Sequence, residues 1–190
     1  MRNFLLYLLA LALFSAPAFA AKPDAKQVQS LADVGDVSCR PAVAALPGPG
    51  SIYNMPSICS CAHGATAEAL KNLDLENPAT PTKADREKIA HANEHAVWSC
   101  AQPAYGKLLA SSTETDCFAG INQVASAKGM SDAQKRTLCT CIGKTFARTS
   151  TLTKLAEVGP GKMQSFTDST LQQSYTTCRA QPGPIIIPHK

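Results

Sequence analysis

Several reactive patterns are missing from this chain. It has no Cys-x-x-Cys, so thioredoxin-like thiol exchange is not expected, and no Cys-x-x-Cys-His for covalent c-type haem. It has no Gly-x-Ser-x-Gly nucleophile elbow and no glycine-rich loop to cradle phosphates. The acids are dispersed, and no pair stands out as a glycosidase dyad. Tryptophan occurs once. The net charge is only +4 and the basic residues are scattered, which is not the footprint of a nucleic-acid-binding protein. No segment approaches the roughly 20 apolar residues needed to span a bilayer, so no membrane span is expected.

What is present begins at the N-terminus. Arg2 precedes an almost unbroken apolar run from Phe4 to Phe14, and the small-x-small triplet Ala18-Phe19-Ala20 follows. Charge, short apolar core and small-residue cleavage site make a secretory signal peptide over 1–20, cut near Ala20. The next residue is Ala21 and not Cys, so no lipid anchor is indicated. Cleavage removes one Arg and no acid. The expected location is the periplasm or the medium.

All eight cysteines lie beyond the cut: Cys39, Cys59, Cys61, Cys100, Cys117, Cys139, Cys141 and Cys178. An even number in an exported chain implies disulfides. They also form two sets of identical layout, Cys…Cys-x-Cys…Cys. Corresponding members are 78, 80, 80 and 78 residues apart. Neighbouring residues echo as well, Ser57-Ile58-Cys59-Ser60-Cys61 against Thr137-Leu138-Cys139-Thr140-Cys141. The pattern is that of a tandem duplication. The expected organisation is a leader segment 21–35, module 1 over 36–103, module 2 over 114–182, and a tail 183–190.

Each module reads as three helices. In the first, Asp36–Leu46 carries Cys39, with Pro41 disturbing its start; Asn54 caps a helix with Pro56 in its first turn; Thr82 and Asp85 open a long helix to Cys100. In the second, Asp116–Ala127 is followed by a capping box, Ser131 with Gln134, opening a helix to about Arg148. Thr167 or Asp168 opens the last helix. Asp24–Val34 forms a short leader helix. On a helix, residues two apart point about 200° from each other. The two sulfurs of each Cys-x-Cys therefore cannot bond each other, and one reaches the helix before while the other reaches the helix after. Cys59 and Cys61 should pair with Cys39 and Cys100, and Cys139 and Cys141 with Cys117 and Cys178. The order inside each set, nested or crossed, stays open. Each bond should contribute about 3–4 kcal/mol in the chain-entropy picture, which offsets the thin core of such small modules.

Two groups of side chains invite a chemical reading. Cys-x-Cys with His63 could suggest metal, but the second set has Gly143 at that place, and disulfides explain both sets. The string His91-Ala92-Asn93-Glu94-His95 matches the H-x-x-E-H zinc pattern, in which two imidazoles hold the ion and a glutamate acts as base. The corresponding residues of the second set are Ser169, Gln172 and Gln173, and no further acidic ligand is evident, so no metal or other cofactor is expected. His91 and His95 remain the candidates if one binds. On the same helix His91, Glu94, His95 and Trp98 share a face opposite Cys100. They are packed between the modules or form an interaction patch, since tryptophan often anchors interfaces. The apolar tail Ile185-Ile186-Ile187 reads as a strap over the body or, second, as a short segment that adds a strand to a partner.

The fold class expected is all-α, a disulfide-braced helical bundle of two tandem three-helix, four-cysteine modules. The function expected is a non-enzymatic interaction scaffold with a protein partner in the envelope or outside the cell, of inhibitor, immunity or envelope-accessory type. The alternative is a carrier of an apolar ligand or lipid between its helices; a zinc hydrolase using His91, Glu94 and His95 is the remote one.

Overall fold

The computed structural model describes residues 20–180. Six α-helices follow one another: α1 Ala25–Ala44, α2 Met55–Leu70, α3 Lys83–Gly120, α4 Asp132–Thr149, α5 Leu152–Val158 and α6 Met163–Ala180. No strand occurs among the described residues; the one β-type contact is an isolated antiparallel bridge between Ala21 and Leu75. The signal-peptide and tail expectations concern residues 1–19 and 181–190, which lie outside the described residues.

Local chemistry accounts for where most helices start. Asp24 accepts from the Gln27 N–H at 2.8 Å while Gln27 returns a bond to the Asp24 N–H. Asn54 caps α2 ahead of Pro56, which sits where an N–H would be unpaired anyway. Thr82 with Asp85 opens α3, and Ser131 with Gln134 opens α4, both as reciprocal capping boxes.

The expected boundaries fail at three places, and each time the helix runs on. The leader helix and the helix carrying Cys39 are one element, α1, which passes through Gly35 and keeps Pro41 in its last turns. Gly35 costs helix propensity, yet here its bare backbone lies against Asn93; a Cβ would come within 2.9 Å of the Asn93 Oδ1. Pro41 removes the N–H owed to the Val37 carbonyl, and Val37 is 82% exposed, so water can satisfy that carbonyl. The second failure is the gap expected between Cys100 and Asp116. The single 38-residue α3 spans it, with Pro103 inside on an exposed turn. Asp116 therefore starts nothing; after Gly120 the chain makes two 3-10 turns, Ile121–Gln123 and Ala125–Ala127. The third is α6, which begins at Met163 rather than Thr167 or Asp168.

The helices bury three apolar clusters. The largest joins Val43 and Leu46 to Ile58, Val97 and Tyr105, and it also takes Leu152 from α5. A second gathers Ile121, Leu138, Cys139, Ile142 and Cys178 between α3, α4 and α6. A third, Val28, Ala32 and Leu70, closes the far end of α1 and α2. Leu152 ties the C-terminal half into the N-terminal core, and its N–H donates to the Gln102 Oε1 at 2.8 Å. At the α1–α2–α3 crossing one buried polar group is fully used: Asn93 accepts from the Thr66 hydroxyl at 3.2 Å and donates to the Ser38 hydroxyl at 3.0 Å. That satisfies an amide which, buried alone, would be costly.

Candidate functional site

The cystines are the firmest chemical feature. The bonds are Cys39–Cys59, Cys61–Cys100, Cys117–Cys139 and Cys141–Cys178, and no cysteine is free among the described residues. Each Cys-x-Cys helix is tied on one side to the helix before it and on the other to a later one, as the 200° offset requires. The order is the same in both sets and is neither nested nor crossed: the loops lie side by side. Burial separates the two bonds of the first set: Cys39 is fully buried, whereas Cys61 is exposed. In the second set each bond has one buried member, Cys139 and Cys178. Because α3 carries both Cys100 and Cys117, it is the last helix of the first set and the first helix of the second.

The four residues singled out on α3 lie along one side of that helix. The His91 and His95 rings are 4.3 Å apart and His95 stands 5.1 Å from Trp98. His91 and Glu94 are exposed, His95 is half-buried, and Trp98 is half-buried against the largest core cluster. Trp98 is thus partly spent on packing. No group of three or more His, Cys, Asp or Glu side chains gathers in metal-binding geometry among the described residues. His91 and His95 accordingly have no third protein ligand beside them, which a hydrolytic zinc site would need. His63 faces elsewhere: its Nε2 lies 3.1 Å from Asp33 Oδ1, joining α2 to α1. That hydrogen bond, and then one from Gln29, hold the Asp33 carboxyl below its ordinary range.

Asp85 is the most strongly perturbed acid. Its carboxylate is sealed from solvent and accepts from the N–H groups of Glu76, Asn77 and Thr82. Burial alone would push its pKa up; the three backbone donors and the Thr82 hydroxyl outweigh that and hold it at about 2 instead of 3.8. The pattern is that of a clamp, pinning the 76–82 loop to the start of α3. A folded pKa below the unfolded one means the stabilisation is complete above about pH 4 and is lost as the pH falls through about 2. Melting temperatures recorded from pH 5 to pH 2 should therefore fall more steeply in the native chain than in Asp85→Asn. Parallel curves would remove the clamp.

Two surfaces went unnoticed in the sequence. Val34 is 68% and Val37 82% exposed, one turn apart on the outer side of α1. A helical wheel drawn over the whole of Ala25–Ala44 would have placed both opposite Val28, Ala32, Cys39 and Val43; splitting that stretch into two helices hid the stripe. The other is an open groove of about 480 Å³ along α4, lined by Arg136, Lys144 and Arg148 with Thr137, Thr140, Cys141 and Thr145 between them. Three cations along an open groove suit an anionic ligand. No described helix is long and apolar enough to cross a membrane.

No family model, curated protein or solved structure matches this chain.

Proposed function

We propose that this protein is an exported, non-enzymatic scaffold that binds a protein partner in the periplasm or outside the cell, and that its two cystine sets descend from one duplicated three-helix unit. The carrying observation is the Val34–Val37 pair on α1. Two β-branched apolar side chains stand in solvent on a helix whose opposite side is locked to α2 by a buried cystine. Lone exposed apolar residues are ordinary. A pair on one helix face, held on a frame that loses little entropy on docking, is what a binding anchor requires. The signal-peptide pattern and the four cystines support the export part of the reading. The His91–His95–Trp98 ladder supplies a second, mixed polar and aromatic surface to the same scaffold.

The test is site-specific photocrosslinking in the native host with the reactive group at position 37. A single discrete adduct should form, be identified by mass, rebind the purified chain and be lost in Val34→Lys. That exposed change should leave stability within about 0.5 kcal/mol. The same adduct from a control group at exposed Lys154 would overturn the reading, as would a product of twice the chain's own mass, which would mean self-association.

A further inference from the structure

The geometry points to the groove along α4 as a binding site for an extended acidic segment of a partner protein, separate from the Val34–Val37 surface. Arg136, Lys144 and Arg148 line it, all three exposed, and none forms an ion pair among the described residues. They stand eight and four residues apart, so they follow one another by about 12 Å and about 6 Å along the helix and share one side of it. Arg136 is held in place, its guanidinium 4.4 Å over the Phe118 ring. One acid, Glu114, reaches the groove lining. It accepts from the Thr140 hydroxyl at 2.7 Å, so it partly offsets the charge at the rim while its oxygen is already engaged. The disulfide from Cys141 to Cys178 stiffens the floor.

The spacing selects a linear chain. In an extended peptide, side chains on one face recur about every 6.7 Å. Acids at the first, fifth and seventh positions would then meet Arg136, Lys144 and Arg148, with the third position beside Thr140. A membrane surface would call for cations spread over a plane, whereas these three follow one line along α4.

The test uses the full oxidised chain and a fluorescent heptapeptide, Glu-Ser-Ser-Ser-Glu-Ser-Glu, read by anisotropy at about 0.02 M salt, where screening is weak. Saturable binding is expected, falling as salt rises, and weakened at least about tenfold by Lys144→Glu with Arg148→Glu. Circular dichroism confirms that the variant is folded. An equal double reversal at exposed Lys26 and Lys154 should leave binding unchanged; an equal loss there would show that net charge alone is responsible and overturn the site. Absence of saturation up to about 1 mM peptide would also overturn it. So would capture of the chain by phosphatidylglycerol vesicles through the same cations while the peptide fails to bind, which would assign the groove to a membrane. Loss of the Val37 crosslink has no bearing on any of these outcomes, so the two surfaces stand or fall separately.

Discussion

Replacing Gly143 by alanine should lower the melting temperature by roughly 5–10 °C, whereas the same replacement at Gly64 should raise it. Both glycines lie inside helices, α4 and α2, and intrinsic propensity favours alanine at each by up to about 1 kcal/mol. Packing reverses the sign at one of them. A Cβ on Gly143 would stand 2.4 Å from the Ala110 carbonyl oxygen and 3.3 Å from the Glu114 nitrogen, both backbone atoms of α3. No rotamer change can relieve such a contact; the two helices must separate. Overpacking of this kind costs about 1–3 kcal/mol, and a chain of this size loses about 2–4 °C per kcal/mol. Separation would also stretch the Thr140–Glu114 hydrogen bond. Gly64 has nothing within 4 Å of the position of a new Cβ. Thermal unfolding under non-oxidising, non-reducing conditions measures both. A Gly143→Ala variant that melts with the native chain would show that α3 and α4 do not approach as closely as described.

The second large effect concerns the cystines. Loop length alone ranks Cys61–Cys100, which closes 39 residues, above Cys39–Cys59, which closes 20. In the chain-entropy picture that difference is worth only about 0.6 kcal/mol. Burial ranks them the other way. Cys39 is 1% exposed inside the largest core cluster, so removing its sulfur also leaves a cavity among Val43, Ile58 and Val97. Cys61 is exposed and Cys100 only half-buried at the edge of that cluster, so replacing this pair leaves a smaller gap. The double variant Cys39→Ala, Cys59→Ala should therefore lose about 5 kcal/mol, the cavity added to the shorter loop, against about 4 kcal/mol for Cys61→Ala, Cys100→Ala. Equilibrium urea unfolding of each pair variant decides between the two rankings. The cavity argument is falsified if the Cys61–Cys100 pair proves the more costly.

Both effects mark how far the repetition in cysteine spacing reaches. Gly143 and His63 occupy matching places after their Cys-x-Cys pairs, yet they meet different surroundings. His63 is half-exposed and reaches Asp33, whereas Gly143 is buried against the backbone of α3. The two cystine sets share one layout while the helix contacts around them differ.

What Val34, Val37 and the α4 groove offer is a pair of apolar side chains and a line of three cations, both displayed from helices fixed by disulfides. Neither arrangement performs chemistry on its own. Each is suited to recognition, the first through apolar burial and the second through charge.

Sequence by itself determined the all-helical class, the starts of α1–α4, and which cysteines could meet. These follow from short-range causes: cap residues within three positions of the helices they open, and a 200° offset that keeps neighbouring cysteines apart. Asp24, marked only as the start of a short leader helix, turned out to cap the whole of α1. Tertiary structure alone decided where the helices end. Gly35, Pro41 and Pro103 all look like breaks, because propensity counts the cost of a missing Cβ or N–H and not what the neighbours return. Docking of Gly35 on Asn93, and the exposure of the turns holding Pro41 and Pro103, let α1 and α3 continue. The order of the cystines and the half-burial of Trp98 were likewise settled by packing across helices. So were the exposed valines of α1 and the cationic line on α4, because which side of a helix faces solvent depends on partners distant in the chain.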